Sequence, residues 1–167
     1  TKLLDWLDTY TFPEEAKFSN QELATEKARF FLAESVKNGF TTSAVFCTTH
    51  PQSVDAYFSE AGKLGLRTIA GKVLMDRHAP EALLDTAKTG YDQSKVLIEK
   101  WHGQGRNLYC VTPRFAPTSS PEQLELAGAL YKESEGVYVQ SHVAENEAET
   151  EWVGELFPEA ASYLDVY

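Results

Sequence analysis

Apolar residues along this chain follow two alternating spacings. Short runs rich in β-branched and aromatic residues are separated by longer stretches in which apolar positions recur three or four apart among charges. The first spacing is that of strands, the second that of helices. NQELATEKARFFLAESVKNG, with Leu23, Phe30, Phe31 and Val36 at helical spacing, predicts a helix. Ser19 followed by Glu22 matches a capping box at its start, and Gly39 supplies the left-handed residue that closes a helix. TTSAVFCTTH predicts a strand near Ser43 to Thr48 that runs out at His50, PQSVDAYFSEAGKLG a helix, and LRTIAGKVLMD a strand near Arg67 to Leu74. A loop around His78 to Pro80 leads into a long helix through Trp101, closed by Gly103 and Gly105. NLYCVTPRF predicts a third strand, near Leu108 to Thr112. SSPEQLELAGALYKESEG then opens a helix with Ser120 as N-cap, Pro121 at the first helical position and Gln123 three residues past the cap. VYVQSHVAEN predicts the fourth strand, near Val137 to Ser141, followed by the acidic helix EAETEWVGELF, which stops at Pro158.

Strands that alternate with helices imply a parallel sheet, because consecutive parallel strands need a connection of about a dozen residues or more. The expected class is α/β, with the strands parallel and adjacent in chain order. Two architectures fit: an open doubly wound sheet, or part of a (β/α)8 TIM barrel. A nucleotide-binding doubly wound sheet places a glycine-rich loop after its first strand, and CTTHPQS contains no glycine. In a barrel, the residues that do chemistry lie at the C-terminal ends of the strands, and a whole barrel takes about 250 residues.

Composition narrows the partners. At 43% hydrophobic and 12% aromatic, 167 residues suffice for one domain with a buried core. A net charge of -10 without a basic block argues against a nucleic-acid partner and favours a small neutral or cationic ligand. No apolar run approaches the roughly 20 residues that cross a bilayer, so no membrane partner is expected, and no basic segment followed by an apolar one begins at Thr1. Cys47 and Cys110 sit in apolar strand-like runs and read as reduced, buried residues of a cytoplasmic protein.

The strand ends carry the chemistry. His50 follows the first strand, Lys72 to Asp76 lie on the second, Arg114 and Phe115 follow the third, and His142 and Glu145 the fourth; parallel strands put all of them on one rim. His50, His78 and His102 can each be read as ordinary loop or helix-end residues, and Arg114 as the partner of one of 25 acidic residues. His142 with Glu145 also fits a second role, an imidazole ligand to a metal-bound water beside a carboxylate that moves its protons.

LLDWLDTYTFPEEAKFSN, KNGFTTSAVFCTTHPQSVDA, LGLRTIAGKVLMDR, CVTPRFAPTSSPEQ and VQSHVAENEAETEWVGELFPE, taken as an ordered set, resemble the guanine deaminase family of the amidohydrolase superfamily along essentially the whole chain. The resemblance implies a metal-dependent β/α barrel that hydrolyses the exocyclic amine of guanine to give xanthine and ammonia, usually with one zinc. It implies that His142 is a zinc ligand and Glu145 the proton shuttle, that Arg114 and Phe115 hold the purine, and that Trp6 and Leu7 line its pocket. It further implies a small-molecule substrate, a homo-oligomer and a cytoplasmic place in guanine catabolism. Adenine or cytosine deaminases could use the same chemical steps, and a related amidohydrolase acting on another purine or a triazine is the alternative.

The chain departs from the family in lacking a His-X-His pair. In the amidohydrolases that pair ends the first barrel strand, while a histidine after strand six and an aspartate after strand eight complete the metal site. Residues 1–167 are therefore expected to be the central part of one barrel domain, about strands two to five, incomplete at both ends and holding zinc weakly if at all. A non-catalytic half-barrel that shields its edge strands by self-association is the other expectation.

Overall fold

The computed structural model describes residues 3–167; Thr1, from which the expected barrel portion is counted, and Lys2 lie outside the described residues. Helical turns over Leu3–Ser19 lead into helix α1, Gln21–Lys37. Strand β1, Thr42–Phe46, is followed by α2, Pro51–Lys63, and by β2, Arg67–Gly71, with its short continuation β3, Val73–Leu74. Then come α3, Ala87–Trp101, β4, Asn107–Pro113, α4, Pro121–Glu133, β5, Tyr138–Val139, and α5, Glu147–Leu156.

Every pairing is parallel and follows chain order: β1 on β2, β2 and β3 on β4, and β4 on β5. Thr68 stands opposite Asn107 and Val73 opposite Thr112, an unchanged offset, so β2 and β3 are one strand interrupted at Lys72. Gly71 explains the interruption. A Cβ there would lie 1.7 Å from the Cys110 carbonyl oxygen, so only glycine lets the two backbones meet. The Lys72 N–H then donates to the Tyr109 hydroxyl at 3.2 Å.

Two features decide between an open sheet and a barrel wall. Leu32 of α1, Val54 and Phe58 of α2, Leu97 of α3 and Leu130 of α4 share one cluster with Ala70, Tyr109, Val111 and Val137. Four helices thus cover a single face, whereas a doubly wound sheet has helices on both. The sheet also curls. Flat, the strands at its two sides would stand three spacings apart, about 14 Å. Yet Gln140, just past β5, donates through Nε2 to the Val45 carbonyl of β1 at 3.1 Å, and the ring of His142 lies 4.2 Å from that of Phe46. The fold is α/β, a partial (β/α)8 barrel.

Four sequence expectations are corrected. The N-cap of α1 is Asn20, whose side chain accepts from Glu22 and Leu23 N–H at 2.9 and 3.1 Å, while the Ser19 hydroxyl turns back to the Ala16 carbonyl. Asn20→Ala is expected to cost about 1 kcal/mol of stability in urea unfolding, the usual worth of such a cap. Phe30 and Phe31 are exposed; α1 packs through Ala24, Ala28 and Leu32, because small side chains allow close approach to Ala56 of α2. The first strand stops at Phe46, so His50 caps α2 rather than ending a strand. The fourth strand shrinks to Tyr138–Val139, resuming only as a bridge between Phe115 and His142. Among the described residues no helix is long and apolar enough to cross a membrane.

Candidate active site

The end of β4 organises the rim. The Arg114 N–H donates to the Leu74 carbonyl at 3.2 Å, continuing the pairing with the second strand. The Arg114 carbonyl in turn accepts both the His142 backbone N–H at 3.1 Å and the ring Nδ1–H at 2.7 Å. A carbonyl can only accept, so Nδ1 carries a proton, and in the neutral imidazole Nε2 is then the nitrogen with the lone pair. An imidazole held in this way has the form a metal ligand requires. Packing against Phe46 fixes the plane of the ring.

Glu145 lies exposed in the loop beyond, after Ala144, which takes the left-handed conformation at φ 54°. The loop is anchored from below. Buried Glu149, in the first turn of α5, accepts the N–H groups of Glu145 at 2.9 Å and Asn146 at 3.1 Å, and also the Tyr163 hydroxyl. The backbone of Glu145 is therefore held while its carboxyl remains free to move, an arrangement suited to proton transfer.

Arg114 is buried, and its Nη1 donates to both oxygens of Glu15 at 2.7 and 2.8 Å. Phe115 and Leu7 are buried together with Phe12, Val73, Met75 and Leu83. They line a cavity of about 110 Å³ with Leu4, Asp8, Phe12, His78 and Trp152. Trp6, expected beside Leu7, is 47% exposed and is not part of that wall. A larger hollow of about 640 Å³ lies on the helix side between α4 and β5, and its lining contains no acidic, basic or imidazole side chain. The small cavity is walled by Phe115, the neighbour of Arg114, and a separate hollow of about 420 Å³ is lined by Glu145 and Asn146.

Sequence reasoning named Lys72 among the polar strand ends but missed its partner Asp85, and it missed Glu15. Lys72 is fully buried and forms an ion pair with Asp85 while Nζ also donates to the Val73 carbonyl at 3.3 Å. Burial pushes the Lys72 ammonium down and the Asp85 carboxyl up, each partly opposed by the other's charge. Lysine inside an apolar strand was the available signal; its partner, across a loop, left none.

The remaining histidines separate. His78, at φ 50°, is bonded through Nδ1 to the Pro117 carbonyl at 2.7 Å, packs tilted against Trp152 with ring centroids 5.0 Å apart and lines the cavity. His50 has a buried Nε2 without a partner among the described residues, and burial followed by the charge of Lys72 lowers its pKa. His102 accepts the Tyr109 N–H at 3.0 Å, a bond that closes the turn between α3 and β4. Burial pushes the thiols of Cys47 and Cys110 up to about 12, so neither is a nucleophile at neutral pH.

A catalytic metal needs about three protein ligands. Among the described residues no group of three or more His, Cys, Asp or Glu side chains could hold one. The donor set fits one ligand's share of a site, His142 Nε2, and no more.

The amidohydrolase family model matches residues 1–167. The guanine deaminase of Escherichia coli strain K12 is 52% identical over 166 residues, which cover 99% of this chain and 38% of that protein. The guanine deaminase structure from Bradyrhizobium japonicum matches with a TM-score of 0.97 at 38% identity, over 99% of this chain and 36% of that one. That from C. acetobutylicum, with bound guanine, matches with a TM-score of 0.94 at 34% identity, over 100% and 40%. The chain thus spans about two fifths of the length of the relatives it matches.

Proposed function

We propose that this chain, which belongs to the amidohydrolase family, is the central part of a guanine deaminase, contributing about strands two to five of its barrel. The reaction is hydrolysis of guanine to xanthine and ammonia, in cytoplasmic purine catabolism by a homo-oligomer. The observation that carries the reading is the rim itself. One residue, Arg114, is bonded to Glu15 through Nη1 alone, which leaves Nη2 and Nε as donors for a carbonyl, and through its own carbonyl it fixes the tautomer of His142. Identity of 52% to a guanine deaminase over 166 residues supports the choice of substrate.

In a complete barrel His142 Nε2 would serve as one ligand of a zinc ion, with the other ligands supplied from outside residues 1–167. When bound, such an ion lowers the pKa of water to about 7 and makes hydroxide available. The chain's own groups do the rest. Arg114 donates to the purine carbonyl, and Phe115 and Leu7 wall the ring. Glu145 takes one proton from the attacking water and delivers it to the ring nitrogen as the oxygen bonds to carbon, then passes the water's second proton to the exocyclic nitrogen as the C–N bond breaks and ammonia leaves.

Arg114→Ala in the full-length protein is expected to leave zinc content unchanged and lower kcat/KM for guanine by about 10²-fold, since a charged hydrogen bond is worth roughly 1.5 to 3 kcal/mol. Unchanged kinetics would make Arg114 a structural partner of Glu15 alone.

One observation favours a second reading, a non-catalytic half-barrel: the described residues offer one metal ligand where about three are needed. Zinc content and guanine turnover of the full-length protein distinguish the two, and metal analysis of the purified 167-residue chain tests the ligand account by itself. Stoichiometric zinc bound by this chain alone would contradict the account of His142 as one ligand among several from other segments.

A further inference from the structure

We infer that Glu15 is a positioning residue that aims the Arg114 fork at the substrate carbonyl, an inference that rests on the guanine reading above. The contact is long-range, joining residues 99 positions apart. Both carboxylate oxygens accept from one nitrogen, Nη1, and no other hydrogen bond of the guanidinium occurs among the described residues. That geometry matters. A fork-to-fork pair would occupy two nitrogens and consume the face needed for a ligand, whereas this one leaves Nη2 and Nε as donors.

The second restraint lies beneath. The guanidinium sits 5.3 Å from the centroid of the Phe12 ring, and Phe12 is itself buried against Leu7 and Phe115 on the cavity wall. Phe12 and Glu15 belong to one helical turn, Phe12–Glu15, with Pro13 at its start, so ring and carboxylate move as a unit. The Arg114 and Glu15 side chains are only 9% and 16% exposed, which screens their attraction less than at an open surface. An arginine fixed at one nitrogen and across one face has lost its rotamer freedom before the ligand arrives. The pair is also neutral as a whole, which suits a neutral purine carbonyl.

The test is a double-mutant cycle in the full-length protein, with guanine turnover and thermal midpoint measured for wild type, Glu15→Gln, Arg114→Ala and the double variant. Glu15→Gln is expected to lower kcat/KM by about tenfold, chiefly through KM, and to cost nothing further once Arg114 is alanine. Glu15→Asp keeps the charge on a shorter arm, is expected to lose less, and carries the same cycle where the amide does not fold. The inference is overturned if the Glu15 variants lose the same factor with and without Arg114, as a purely structural role requires, or lose nothing while Arg114→Ala is impaired. A wild-type protein that leaves guanine intact overturns the guanine reading beneath it, an outcome distinct from both.

Discussion

Glu145→Gln in the full-length protein is expected to lower kcat for guanine by about 10²- to 10⁴-fold while purine binding and zinc content stay near wild type. The amide preserves the size of the side chain and its capacity to accept and donate hydrogen bonds, but it cannot take up and release a proton. The loop should keep its shape, because it is held by the Glu145 and Asn146 backbone N–H groups on Glu149 and not by the Glu145 carboxyl. His142→Ala makes the opposite demand. It removes the imidazole whose Nδ1–H is bonded to the Arg114 carbonyl, so metal affinity and activity should fall together. Zinc content beside turnover checks both variants. An active Glu145→Gln, or a His142→Ala that keeps its zinc and its rate, would end the assignment of roles.

Asp85→Ala is expected to destabilise the fold by roughly 3 to 5 kcal/mol in denaturant unfolding, the range for breaking a buried ion pair from one side. Lys72 has no exposure, and without Asp85 its ammonium keeps only the Val73 carbonyl at 3.3 Å. The opposing shifts make the same point. Burial moves both groups toward their neutral forms despite their mutual attraction, so desolvation is the larger effect for each. A double replacement by apolar residues of similar volume, Lys72→Met with Asp85→Leu, should therefore recover most of the loss. If the single variant costs less than 1 kcal/mol, the pair is not holding the interrupted strand.

The element list was legible because strands and helices differ in local period, and β-branched runs such as TSAVF and YCVT pack well in a pleated sheet. The start of α1, which shifted by one residue, shows the limit of such reading. Ser19 and Asn20 are both good caps, and which one closes α1 depends on where the preceding turn from Ala16 to Ser19 delivers the chain. Phe30 and Phe31 were misleading for a related reason. Helical spacing marks an apolar stripe, but the alanines of α1 and α2 decided which stripe faces inward.

What the sequence by itself determined is the alternation of elements, the parallel class and the polar strand ends that include Arg114 and His142, all of which follow from near neighbours along the chain. Only the tertiary structure decided that the sheet curls enough to bring Gln140 to Val45, that Arg114 is paired with Glu15 and Lys72 with Asp85, and that Trp6 faces solvent while Leu7 is buried. The physical reason is distance along the chain. Period and capping act over a turn or a strand, whereas a charge finds its partner by burial, and burial is set by elements far apart in sequence that meet at one rim.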